Sequence, residues 1–71
     1  MIKKETVAIS TEFIKLDQFL KFVGIAETGG HAKEIVAQGI VLVNKTVCLQ
    51  RGKKLFPKDQ IQIDDICFII E

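Results

Sequence analysis

The spacing of apolar residues changes along the chain, and each change predicts where a helix or a strand lies. Between Glu5 and Ser10, Val7 and Ile9 alternate with more polar neighbours, which predicts a short strand on a sheet edge. From Leu16 the spacing becomes helical, because apolar residues fall at i, i+3, i+4 and i+7: Leu16, Phe19, Leu20 and Val23. We expect Gly24 to end this helix in a left-handed conformation.

A second helix is predicted to begin after Thr28. The Thr28 hydroxyl can accept a hydrogen bond from one of the free amides of the first helical turn, so Thr28 is the expected N-cap. Gly29 and Gly30 follow at once. The apolar face of this helix holds Ala32, Ile35 and Val36, and Gly39 is its expected C-cap.

The rest of the chain predicts strands joined by turns. The β-branched run Ile40 to Val43 is followed by Asn44-Lys45, a tight turn in which Asn tolerates positive φ, and Val47 to Leu49 can pair back. We expect Leu55 and Phe56 to return to the core.

Two more strands complete the predicted fold. Turns are expected at Pro57-Lys58-Asp59 and at Asp64-Asp65. Ile61 and Ile63 alternate in the strand between them, and Ile66 to Ile70 forms the last strand. The predicted order is β-α-α-β-β-β-β, which is an α+β fold.

The formal net charge of +1 conceals an uneven distribution of charge along the chain. Residues 15–58 hold eight basic side chains against three acidic ones, an excess of +5, whereas the flanks carry −4. A local field acts over a Debye length of about 10 Å, so a nearly neutral protein can still attract a polyanion. The densest basic stretch is Gln50-Arg51-Gly52-Lys53-Lys54, which we expect to be an exposed loop or irregular strand.

Length and composition limit the possible classes of protein. Seventy-one residues, of which 48% are hydrophobic, predict one globular domain over residues 1–71. No apolar run approaches the roughly 20 residues that span a bilayer, and Met1 to Glu5 lacks the apolar stretch of a signal peptide. We therefore expect a cytoplasmic protein without a membrane partner. Cys48 and Cys67 are expected to be buried and reduced.

The chain lacks the residues of a recognisable catalytic site. It has one histidine, one serine (Ser10) and no cysteine beside a base, so no set of nucleophile, base and orienting group can be assembled. Asp64-Asp65 is explained by turn chemistry rather than by a metal ion, and no Walker pattern is present. We expect no enzymatic activity, no metal, no cofactor and no small-molecule substrate.

Several short motifs occur in a fixed order between Lys15 and Ile63. They are Lys15-Leu16-Asp17, Thr28-Gly29-Gly30-His31-Ala32-Lys33, Gly39-Ile40-Val41-Leu42-Val43-Asn44, and Lys58-Asp59-Gln60-Ile61-Gln62-Ile63. This ordered set resembles the S4 RNA-binding domain, which is found in a small-subunit ribosomal protein, in pseudouridine synthases and in tyrosyl-tRNA synthetases. Gln18-Phe19-Leu20-Lys21 and Arg51-Gly52-Lys53-Lys54-Leu55 are similar to the short stand-alone bacterial version, the YaaA-like group.

The resemblance implies an αL fold, in which two short helices pack on a small, twisted, mostly antiparallel sheet and RNA lies across the helices and the neighbouring loop. The candidate RNA-binding residues are Lys15, Lys21, Thr28, Gly29, Gly30, His31, Lys33, Arg51, Lys53 and Lys54. Free amides at the start of the second helix favour a phosphate oxygen, and the rigid guanidinium of Arg51 can bind a phosphate through two hydrogen bonds. The chain departs from the family at Gly29, where many members carry arginine, and at Lys45 and Lys58, where many carry glycine.

The expected partner is structured RNA, recognised by its shape and bound by a monomer. The expected target is ribosomal RNA or a ribosome-associated RNA; transfer RNA, a messenger leader and a stalled ribosomal subunit are also compatible, and DNA is a further option. The five phenylalanines are spaced as core residues, which disfavours a stacking platform for single strands. The alternative is a protein-interaction module in which Ile66 to Ile70 forms an exposed edge strand that pairs with a partner chain.

Overall fold

The computed structural model describes residues 2–71, so Met1, where the predicted domain begins, lies outside it. The elements are β1 (Lys3–Val7), β2 (Ile14–Lys15), α1 (Leu16–Phe22), α2 (Gly29–Ala37), β3 (Val41–Val43), β4 (Thr46–Val47), β5 (Lys54–Leu55), β6 (Gln60–Ile63) and β7 (Ile66–Ile70). The α+β class is confirmed, and every predicted helix and strand has a counterpart, although the strand predicted over Val47 to Leu49 is Thr46–Val47 in the structure. Two further strands, β2 and β5, were not predicted, because each has only two residues and they pair with each other across about 40 residues of sequence.

The main sheet has the strand order β1-β7-β6-β3-β4. Its pairs β7–β6, β6–β3 and β3–β4 are antiparallel, while β1 runs parallel to β7, so the prediction of a mostly antiparallel sheet is confirmed. The first strand lies at a sheet edge as expected. Its range is Lys3–Val7 rather than Glu5 to Ser10, because its ladder ends where Val7 pairs with Ile70.

The last strand, β7, lies inside the sheet and not at its edge. Its residues pair with β1 on one side and with β6 on the other, so the expectation of an exposed edge at Ile66 to Ile70 is wrong. The reason is a parallel ladder between segments at opposite ends of the described chain, which local patterning does not reveal. The edges of this sheet are β1 and β4.

Both helices bury the faces that their apolar spacing predicts. Leu16, Phe19 and Leu20 of α1 are fully buried, and Gly24 follows the helix at φ +84°. The buried side chains of α2 are Ala32, Ile35 and Val36. The C-cap of α2 is Gln38 and not Gly39 as predicted, since Gly39 takes the following left-handed position at φ +73°.

The helices meet the sheet in one apolar cluster. The ring of Phe19 contacts that of Phe68 edge to face, with centroids 5.5 Å apart. Leu55 is buried as predicted, but Phe56 is 44% exposed and Phe22 is 60% exposed, so the assignment of all five phenylalanines to the core is wrong. Phe56 follows Leu55 at the end of a strand, where successive side chains point to opposite faces.

The predicted hairpin turn at Asn44-Lys45 is confirmed. Asn44 and Lys45 have φ of 51° and 70°, as a two-residue turn between antiparallel strands requires. Lys58 also has positive φ, at 79°. Both cysteines are free thiols; Cys67 is buried as expected, whereas Cys48 is only half-buried.

Candidate nucleic-acid interface

The basic loop, residues 51–54, is fastened to the start of α1. The amide of Leu16 donates to the carbonyl of Lys53 at 2.9 Å, and the amide of Asp17 donates to the carbonyl of Arg51 at 2.9 Å. The first amides of a helix have no acceptor within the helix, so these two bonds satisfy two amide donors of α1 and hold the loop at the same time. The backbone of the basic loop is therefore fixed while its side chains are exposed.

Lys15 belongs to the same cluster of cations. It is the N-cap residue of α1, but its side chain makes no capping hydrogen bond. In the two-stranded sheet formed by β2 and β5, Lys15 lies directly across from Lys54. Like charges at facing positions destabilise a strand pair, and a bound anion relieves that repulsion. The structure thus brings Lys15, Arg51, Lys53 and Lys54 together.

The second candidate group lies at the start of α2, which Thr28 caps as predicted. The Thr28 hydroxyl accepts a hydrogen bond from the amide of His31 at 3.0 Å, and the Thr28 carbonyl accepts from Ala32 at 3.0 Å. Within residues 2–71 no group accepts from the amides of Gly29 or Gly30. These two donors are free for a ligand at the positive end of the helix dipole.

Space is open around both glycines. A Cβ atom placed on Gly29 would have no neighbour within 4 Å, and one on Gly30 would meet only the Thr28 hydroxyl oxygen, at 3.9 Å. Neither glycine has a positive φ. The fold therefore does not require glycine at either position, and a side chain placed at Gly29 would begin in open space.

The remaining candidate side chains, His31, Lys21 and Lys33, are exposed. His31 Nδ1 accepts from the amide of Glu27 at 3.3 Å, so the neutral ring carries its proton on Nε2 and can donate it outward. Among residues 2–71, the one ion pair is Lys3 with Glu5, at 3.3 Å. None of the candidate cations therefore forms an ion pair with an acidic side chain of the described chain.

Helix α1 connects the two groups. The cluster around Lys15 lies at the N-terminal end of this helix, and Lys21 lies in its last turn. A helix of seven residues is roughly 10 Å long. The connection to α2 folds back, because the amides of Ile25 and Ala26 both donate to the carbonyl of Leu20, at 3.0 Å each. Helix α2 begins three residues after Ala26.

Two phenylalanines beside the cations were not among the candidates. The rings of Phe13 and Phe56 have centroids 5.9 Å apart, and Lys54 Nζ lies 4.8 Å from the centre of the Phe13 ring. The signal in the sequence is that an aromatic and a basic side chain flank an aliphatic one in two segments, Phe13-Ile14-Lys15 and Lys54-Leu55-Phe56. The two segments run in opposite directions along the paired strands.

Other kinds of site find no support in the described residues. Neither helix in residues 2–71 has the length and apolar character needed to cross a membrane. In the same part of the chain, no three His, Cys, Asp or Glu side chains are grouped to hold a metal ion.

Comparison with known proteins assigns the chain to a family. The model of the S4 domain matches residues 7–71, a range that includes all ten candidate residues. The chain is also 40% identical over 58 residues to the probable ribosome maturation protein RlbA of Bacillus subtilis (strain 168), and the match covers 82% of each chain. A family match over nearly the whole chain, on a fold of two helices and a mixed sheet, shows that the chain belongs to the S4 domain family.

Proposed function

We propose that this chain is a non-catalytic protein that binds structured RNA, with ribosomal RNA as its target. The S4 domain match and the similarity to a protein named for ribosome maturation support a role in RNA binding or ribosome association. The observation that carries the proposal is the basic loop: its backbone is fixed on α1, while its exposed cations have no acidic partner in residues 2–71. An anchored, unpaired cluster of this kind suits a phosphate backbone.

In the proposed complex, one phosphate accepts hydrogen bonds from the amides of Gly29 and Gly30. The hydroxyl of Thr28, the Nε2 proton of His31 and the ammonium of Lys33 lie on the same short stretch and add contacts around that phosphate. Arg51 and Lys53 bind a second region of the backbone, with the guanidinium of Arg51 providing two parallel hydrogen bonds. The two groups act as one surface along α1.

Recognition through these residues depends on the shape of the RNA more than on its sequence. Amides, ammonium groups and a guanidinium contact phosphate oxygens and 2′-hydroxyls, which every nucleotide carries. The deep and narrow major groove of A-form RNA is closed to side chains, so backbone spacing provides the selectivity in paired regions. We therefore expect binding to folded RNA with little preference for the base pairs of a stem.

The test is a matched pair of charge reversals. Lys53→Glu removes a cation of the basic loop, and Lys4→Glu makes the same change of charge on β1, at the sheet edge opposite β4. Binding to an RNA hairpin is measured by fluorescence anisotropy over a range of salt concentrations. We expect Lys53→Glu to weaken binding about tenfold and to lower the slope of log K against log salt by about 0.7–0.9 per lost phosphate contact.

The control defines the result that contradicts the proposal. Lys4→Glu is expected to change affinity less than twofold, because its position is outside the candidate interface. Equal losses in the two variants would mean that only overall charge matters. Binding of the unaltered chain that does not depend on salt would also exclude a phosphate interface.

The target is tested in cells. Crosslinking followed by sequencing of the attached RNA is expected to recover ribosomal RNA, and the chain is expected to sediment with ribosomal subunits at low salt and to leave them at high salt. Lys53→Glu should reduce both signals. Recovery of transfer RNA or messenger RNA alone would keep the RNA-binding role and reject the ribosomal target.

A further inference from the structure

The two-stranded sheet of β2 and β5 has two faces with different chemistry. Ile14 pairs with Leu55, and Leu55 is fully buried, so this pair faces the core. The neighbouring pairs face the other way, because side chains alternate along a strand. One is the register pair of Lys15 with Lys54; beyond the other end of the ladder, the rings of Phe13 and Phe56 lie against each other. We call the sheet of β2 and β5 the ribbon, and these four side chains its outer face.

Phe56 keeps part of its aromatic surface free, although its ring packs against that of Phe13. It is 44% exposed, although a side chain of this size normally contributes to a core. Phe13 is more enclosed, since Lys54 lies over its ring at 4.8 Å and Phe56 packs against it at an angle of 47°. The free aromatic surface of the ribbon therefore belongs to Phe56.

The backbone around Phe56 is held in place. Its amide donates to Asp59 Oδ2 at 2.8 Å, and Asp59 Oδ1 accepts from Asn44 Nδ2 at 3.2 Å. The Asp59 carboxylate is thus engaged on both oxygens. A fixed backbone beside an exposed ring reduces the entropy that is lost when a planar ligand stacks on it.

From this arrangement we infer that the outer face of the ribbon binds an unpaired nucleotide of the RNA, with its base stacked on Phe56 and the phosphates on either side of it on Lys15 and Lys54. The inference rests on the proposed function. Aromatic rings stack with bases of any identity, and cations beside them hold the backbone, which is the chemistry of single-strand recognition. The two facing lysines favour a polyanion over a neutral or apolar partner.

A nucleotide site on Phe56 changes the kind of RNA that the domain selects. Paired stems alone would satisfy the phosphate contacts of the basic loop and of α2. A ring placed beside the basic loop adds a preference for RNA in which a base is already unstacked, as in a bulge or a loop. The ligand is then a stem with an unpaired nucleotide beside it.

The experiment compares two RNA hairpins that differ by one bulged nucleotide in the stem. The bulge carries 2-aminopurine, a fluorescent adenine analogue whose emission falls when its base stacks. We expect the unaltered chain to bind the bulged hairpin roughly tenfold more tightly than the fully paired one and to reduce its emission. Phe56→Leu should remove both the preference and the change in emission while leaving affinity for the paired hairpin within about twofold.

Phe56→Tyr is the matched variant, because it keeps the aromatic ring and should retain the preference. Thermal unfolding of all variants shows that they are folded. Equal affinity of the unaltered chain for both hairpins, or a preference that survives in Phe56→Leu, would overturn the inference and leave the proposed function intact. Failure to bind either hairpin would reject both.

Discussion

The turn between β3 and β4 holds a lysine where a glycine suits the backbone better. Lys45 has φ +70° and follows Asn44 at φ +51°, so both central residues of the turn are left-handed. A residue with a Cβ atom loses roughly 1–2 kcal/mol in this conformation, whereas glycine loses none of it. Glycine also makes the unfolded chain more flexible. The larger entropy lost on folding costs about 0.5–1 kcal/mol and offsets part of that gain. Lys45→Gly should therefore stabilise the protein by about 0.5–1 kcal/mol.

For a domain of this size, a gain of about 0.5–1 kcal/mol raises the melting temperature by about 2–8 °C. Circular dichroism during thermal and urea unfolding measures both quantities. Lys45→Ala is the matched control, because it removes the same ammonium group but keeps the Cβ atom at positive φ.

The two variants separate the effect of backbone conformation on stability from the effect of charge. If Lys45→Gly is no more stable than the unaltered protein, the left-handed turn carries no strain and the reasoning is wrong. If Lys45→Ala gains as much as Lys45→Gly, the stabilisation comes from relief of charge repulsion and not from the backbone.

Three further substitutions test the site and its supports. Gly29→Arg places a cation in open space at the start of α2 and should tighten binding to an RNA hairpin about threefold or more, as measured by anisotropy; no gain would argue against a phosphate at that position. Thr28→Ala removes the acceptor for the His31 amide and should lower the free energy of unfolding by about 1 kcal/mol in urea, while Thr28→Ser should not. Asn44→Ala removes side-chain bonds to Asp59 and to the amide of Gln60 and should cost about 1–2 kcal/mol in the same assay; an unchanged midpoint would show that these bonds are replaced by water.

Local spacing was sufficient to predict the helices and most of the strands. The stripe that includes Leu16 and Phe19 has a helical period, and Thr28 provides a chemical signal for a helix start, so both features depend only on residues close in sequence. The turn at Asn44 was predictable for the same reason. These features required no knowledge of which strands are neighbours.

Pairings between distant segments were not predictable from the sequence. Nothing local to Ile66–Ile70 indicates that β1 covers one side of that strand, so the local pattern predicts an edge where the structure has an interior strand. The ribbon of β2 and β5 joins two dipeptides about 40 residues apart. Which of their side chains share a face can be determined only when the register is known. The exposure of Phe56 follows from that register.

Composition and the family resemblance point to the candidate cations, but neither indicates how the basic loop is held. Two carbonyls of the loop bind two amides of α1, and backbone hydrogen bonds of this kind leave no trace in side-chain identity. For the same reason the partner of Lys15 across the ribbon was not predicted.

The parallel pairing of β1 with β7 also determines the order in which the fold can be completed. Lys3 pairs with Ile66, so this ladder closes a loop of about 60 residues, the costliest closure in the sheet. During synthesis β7 emerges after β1 and β6, and one side of β7 stays open until β1 docks there. Completion of the sheet therefore waits for the final residues of β7, and any change that delays β1 prolongs the time in which an apolar strand lacks a neighbour.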